Sequence, residues 1–212
     1  MIHRIEIATR RGLRDARGEH VSRQVRGFLD IPVTAVRTRD VYHLDAEISD
    51  QELDRIVEEF ADPVLQVGSI GKADDGPFDI GVRVAYKPGV ADPVGKSAMV
   101  AIQDTLGRNL GDEAAVYTSI LYLLEGVDQA QGERIAYELL ANPVIQDITL
   151  ASYDEWQTAS PDLVVPKVPS GESPRARAID LSGSDAELKR ISDDGMLALT
   201  LTEICLLYTS PS

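Results

Sequence analysis

Apolar residues alternate with polar ones at Ile5 and Ile7, and more regularly at Ile80, Val82, Val84 and Tyr86. A period of two predicts half-buried strands. Each strand is followed by a turn and then by apolar residues at helical spacing. The first such face is Val21, Val25, Phe28 and Leu29, and the second is Ala98, Ile102 and Leu106. Central strands are predicted over Val36 to Leu44 and Val116 to Leu124. Ser49 with Glu52 forms a capping box, opening a helix whose buried face is Leu53, Ile56, Val57 and Phe60. Asp128 and Gln131 take the same parts before Ile135, Ala136, Leu139 and Leu140. Asp62-Pro63 and Asn142-Pro143 end these helices, because a residue preceding proline avoids the helical region. Last strands are predicted at Val64 to Ile70 and Val144 to Leu150.

The two series are copies of one unit. Gly12, Asp15 and Gly18 recur as Gly89, Asp92 and Gly95, 77 positions later; Tyr42 and Pro63 recur as Tyr122 and Pro143, 80 positions later. The second copy has gained three residues around Arg108 to Glu113. Asp15 and Asp92 stand where helix N-caps belong, and Pro93 occupies the first helical position. The fold class is therefore α+β: two tandem β-α-β-α-β repeats, 1–71 and 77–156, with both helices of each on one sheet face. The expected arrangement is two sheets joined as a pseudo-dimer. Residues 157–180, with Pro161, Pro166, Pro169 and Pro174, read as an extended linker. Ser184 and Glu187 open a short helix carrying Leu188 and Ile191, and a further helix is expected to start after Leu197.

Charge and composition narrow the chemistry. Among 212 residues the formal net charge is −14, which opposes general binding to nucleic acid. Arginines at 10, 11, 14, 17, 23 and 26 crowd the N-terminal stretch, either as a solvated face or as a docking surface for an acidic domain. Three Phe and one Trp leave no aromatic platform for stacking bases. No apolar run is long enough for a membrane helix, and the first residues lack a signal core, so a cytoplasmic location is expected. No phosphate-binding glycine loop of either common type is present. Gly12, Gly18, Gly89 and Gly95 read as turn glycines flanking a cap, not as an anion site, since Asp15 and Asp92 already occupy the helix N–H groups. His3, His20 and His43 are isolated, and Cys205 has no local base. No catalytic, cofactor or metal residue is singled out.

The repeated unit resembles PurS, the small subunit of phosphoribosylformylglycinamidine synthase. Gly89-Val90-Ala91-Asp92-Pro93-Val94-Gly95 and Leu139-Leu140-Ala141-Asn142-Pro143-Val144-Ile145 carry the resemblance. Copy one departs at Leu13, Ala16 and Asp62. Residues 181–204 resemble the start of the linker into that enzyme's synthetase domain. The implied fold is a PurS-like pseudo-dimer, and the implied role is a non-catalytic assembly and ammonia-transfer scaffold. Its implied partners are the synthetase domain of the same chain and a glutaminase subunit or domain. ATP and Mg²⁺ would serve the parent enzyme, with no cofactor in this part. The catalytic motifs of the family do not carry over, and residues 205–212 do not match it, reading as a non-native tail on a truncated chain. The alternative is a stand-alone module of tandem α+β units that senses a small molecule, with the turns at Gly12 and Gly89 as the place to look. A small stand-alone enzyme is disfavoured by the lack of a clustered nucleophile, base or metal set.

Overall fold

The computed structural model describes residues 1–73, 76–158, 181, 183–195 and 197–209. The chain divides into two compact units, Met1–Val168 and Pro169–Ser212. In the first unit the order is β1 (Ile2–Thr9), α1 (Ala16–Phe28), β2 (Ala35–Asp45), α2 (Asp50–Phe60) and β3 (Gln66–Ile70). The same order then repeats as β4 (Ile80–Tyr86), α3 (Pro93–Leu106), β5 (Ala115–Glu125), α4 (Gln129–Ile135) and β6 (Gln146–Ser152). The end of α4 widens into a π-helical turn over Ala136–Leu140, and α5 (Tyr153–Thr158) follows β6.

The tandem α+β repeats are as expected, but the two expected sheets are one. All six strands hydrogen-bond in the order β3-β1-β2-β5-β4-β6. The central strands β2 and β5 pair antiparallel over their full length, with Asp40 opposite Ile120, its own counterpart 80 positions on. Thr38 lies opposite Tyr122 and Tyr42 opposite Thr118, so the register is self-complementary, as in a two-fold dimer interface. Merging the sheets gives both central strands a ladder on each side, removing two edges that separate sheets would expose.

The cores are shared in the same way. One cluster joins Val21 and Val25 of α1 and Val36 of β2 to Val82 and Val84 of β4, Leu124 of β5 and Ile135 of α4. Another joins Ile5, Ile7, Leu53 and Ile56 of repeat one to Ala98, Ile102 and Val116 of repeat two. Each repeat therefore completes its core with the other. The predicted α1 face is corrected at Phe28, the last residue of α1, which is 77% exposed. The last strands also start two residues later than expected, at Gln66 and Gln146. On the opposite sheet face Val41, Leu121, Leu123 and Ala151 pack against Phe78 and Trp156.

In the second unit, α6 (Asp185–Asp194) opens where Glu187 accepts from the backbone N–H of Ser184 at 2.8 Å. Ser192 binds both the carbonyl and the N–H of Leu199 at 3.0 Å, turning the chain toward α7 (Leu201–Thr209). The helix expected after Leu197 thus runs on into the segment read as a tail. Most of the expected linker, 159–180, lies outside the described residues.

Candidate functional site: repeated turns, twin niches and a buried polar face

The glycine–aspartate motifs clamp helix to sheet. Pairing of β1 with β2 stops at Ala8 and Arg39, so the next N–H of β2 facing that side, that of Thr38, has no partner on β1. Asp15 takes its place: one carboxylate oxygen accepts from Thr38 N–H at 2.6 Å, the other from Gly18 N–H at 2.8 Å, and the Thr38 hydroxyl donates to both. Repeat two does the same where β4 pairing stops at Ala85 and Ser119. Asp92 accepts from Gly95 N–H and Thr118 N–H, each at 2.7 Å, and from the Thr118 hydroxyl at 2.9 Å. A Cβ on Gly18 would sit 2.1 Å from the Val36 carbonyl oxygen, and one on Gly95 2.4 Å from that of Val116. These glycines let the helix start lie on the strand. Gly12 and Gly89 turn with φ of 86° and 83°, a region costly to residues with a Cβ. Pro93 supplies the first residue of α3.

A second repeated device follows α2 and α4. Asp62 accepts from the N–H groups of Val64 and Leu65, both at 2.8 Å, while Gln66 accepts from Asp62 N–H at 3.0 Å. Asn142 accepts from Val144 N–H at 3.0 Å and Gln146 from Asn142 N–H at 2.8 Å. Arg10 donates to the Pro63 carbonyl at 3.1 Å, and Lys87, 77 positions on, donates to that of Pro143. These bonds fix two turns that hold apolar side chains in solvent: Val64 is 71% and Val144 78% exposed, with Leu65 and Ile145 beside them. Because β3 and β6 are the two edge strands, the turns stand at opposite edges of the sheet.

The Gly12 and Gly89 turns each border a cavity, and the two have opposite linings. The niche in repeat one, about 460 Å³, is lined by Arg10, Arg11, Leu13, Arg37, Arg39 and Glu125 among others. In repeat two, about 390 Å³ is lined chiefly by Tyr86, Lys87, Val90, Lys96, Met99 and Tyr117. At the dyad, a smaller cavity of about 140 Å³ lies among Asp40, Tyr122 and Leu140. Arg17 of α1 grips Asp40 there with two bonds of 2.6 Å.

The sheet face away from the main helices buries charge. Glu6 is fully buried and accepts from Arg4 at 2.7 Å and Arg39 at 3.2 Å. Arg83 donates to the Thr149 hydroxyl at 2.8 Å. Trp156 is stacked by Arg4 at 5.6 Å and Lys72 at 5.4 Å from its ring centre. His43, 3% exposed, has neither ring nitrogen hydrogen-bonded. Burial first, and then the Arg4 and Arg83 charges, push its pKa down to about 3. The sequence marked His43 as isolated, but its burial beside two arginines needed the register of three strands. Among the described residues no group of three or more His, Cys, Asp or Glu is placed to hold a metal, and no helix is long and apolar enough to cross a membrane.

The profile of the PurS family, described as phosphoribosylformylglycinamidine (FGAM) synthase, matches residues 79–153, nearly the whole of the second repeat. Comparison with curated proteins gives no match. The matched span contains the Asp92 clamp, the Asn142 turn and half of the β2–β5 seam, and the dyad repeats each of them in residues 1–71. Residues 79–153 are thus a PurS-like region, which ties this chain to FGAM synthase and so to purine biosynthesis.

Proposed function

We propose that the tandem repeats are a non-catalytic assembly body of FGAM synthase, holding a glutaminase and a synthetase domain in register. The observation that carries this reading is the pair of rigid apolar turns, Val64-Leu65 and Val144-Ile145, at opposite edges of one continuous sheet. Their side chains gain nothing in solvent, and the hydrogen bonds around Asp62 and Asn142 keep them there. A body with one such contact at each edge is suited to bridging two partners. The PurS family works in complex with other FGAM synthase subunits, which supports protein partners here.

Bridging has a chemical purpose in an amidotransferase. Ammonia released at one active site must reach another without meeting bulk water, where it would be protonated and lost as a nucleophile. A sheet whose two halves share their cores keeps two docked partners at a fixed separation. ATP and Mg²⁺ would serve the synthetase domain, and no phosphate-transfer step is assigned to the tandem repeats.

The test is reconstitution. The 212-residue chain is mixed with a separately expressed glutaminase and synthetase of this enzyme family and followed by size-exclusion chromatography. A ternary complex is expected. Val64→Asp should release one partner and Val144→Asp the other, with little change in Tm because both sites are exposed. If the unaltered chain binds neither partner, the assembly reading is wrong.

A further inference from the structure

The duplication supplies an internal control for what the two niches do. At four sequence positions repeat one has Arg14 and Glu19, paired with each other, Ser22 and Arg37, of which only Arg37 lines its own niche. At the corresponding positions repeat two has Ala91, Lys96, Met99 and Tyr117. In the lining of the repeat-two cavity the Arg14–Glu19 pair is thus replaced by a small residue and a cation, and Ser22 and Arg37 by a thioether and a phenol ring. Tyr86 replaces Thr9 on the adjoining strand. The result is an apolar-walled cavity of about 390 Å³, within the usual range of about 300–1,000 Å³ for small-molecule sites.

Its charge is positive. Asp92, the lining carboxylate, has both oxygens engaged by Gly95 and Thr118. The Lys96 ammonium makes no ion pair or hydrogen bond among the described residues, its backbone N–H alone donating to Asp92. Lys87 donates to the Pro143 carbonyl and retains two further ammonium hydrogens.

We propose that this cavity in repeat two is a binding site for a small molecule with a flat apolar body and one anionic group, a carboxylate or a phosphate. The body lies against Tyr86, Met99 and Tyr117, and the anion meets Lys96 and Lys87. Repeat one, with an arginine-lined niche and no aromatic or thioether wall, does not take this ligand. The assembly role does not require the site, so either reading can fail without the other.

The test uses the full chain and three probes: indole-3-acetate, adenosine monophosphate and neutral indole, titrated by ligand-observed NMR and calorimetry. At least one anionic probe should bind with a Kd of about 1 mM or tighter, and indole about tenfold more weakly, since a charge-assisted hydrogen bond is worth about a factor of ten. The tighter of the two anionic probes gives the ligand class to pursue, an aryl carboxylate or a nucleotide. Ala91→Arg with Lys96→Glu, which installs the Arg14–Glu19 pair of repeat one, should weaken binding about tenfold while leaving Tm unchanged. Tyr117→Ala, which removes the phenol ring without changing the charge, should do the same from the wall. Absence of binding by both anions up to about 10 mM overturns the proposal, as does equal binding to the double variant or equal affinity for indole and indole-3-acetate.

Discussion

Replacing Asp15 by alanine removes the acceptor for three donors at once: Gly18 N–H, Thr38 N–H and the Thr38 hydroxyl. Loss of an N-cap costs about 1 kcal/mol. The second loss is larger. Thr38 is buried and lies beyond the last β1–β2 pair, so its N–H finds no replacement in the ladder. A buried backbone donor left without an acceptor costs about 1–3 kcal/mol. Together these give about 2–4 kcal/mol, a fall in Tm of roughly 5–15 °C for a unit of this size. Asp92→Ala should cost a similar amount, because Gly95 and Thr118 present the same donors at nearly the same distances. Asp15→Asn tests the geometry: one oxygen remains for Gly18, but the amide NH₂ then faces the Thr38 N–H, so most of the loss should persist. Thermal and urea unfolding followed by circular dichroism measure all three. Tm shifts below about 2 °C for both alanine variants would refute the claim that these carboxylates terminate the sheet as well as the helix.

Gly95→Ala should destabilise by about 1–3 kcal/mol, since its Cβ would lie 2.4 Å from a carbonyl of a central strand; unchanged urea midpoints would contradict that contact. His43 sets an acid limb. Above pH 6.5 it is neutral folded or unfolded; as pH falls from 6.5 toward 3 the unfolded chain takes up a proton that the folded one refuses, so stability drops by about 1.4 kcal/mol per pH unit. His43→Leu should remove that slope between pH 6.5 and 5, and parallel curves for the two proteins would count against it. Leu140→Phe should fill part of the 140 Å³ cavity at the dyad and raise stability by about 1 kcal/mol, as Phe60 packs edge-on to Tyr42 at 5.1 Å in repeat one; a fall in Tm would mean the cavity cannot admit the ring.

The sequence by itself determined the local elements and their repetition. Period-two alternation at Ile80 to Tyr86, the caps at Asp15, Ser49, Asp92 and Asp128, and the proline stops at 63 and 143 act within a few residues of themselves. Their physics is local, so their pattern can be read along the chain. The offsets of 77 and 80 likewise disclosed the duplication and the glycine turns beside which the cavities lie. What the tertiary structure decided was everything that depends on which strand lies beside which. The pairing of Asp40 with Ile120 merges two expected sheets into one and makes each core common to both repeats. The same register puts His43 beside Arg4 and Arg83, and the end of α1 leaves Phe28 in solvent despite its place on an apolar stripe. Nor did the composition of either turn disclose that one niche is lined by arginine and the other by tyrosine and methionine. The residues lining the repeat-one niche alone run from Ala8 to Glu125, and only strand pairing brings Arg37 and, in repeat two, Tyr117 to the glycine turns.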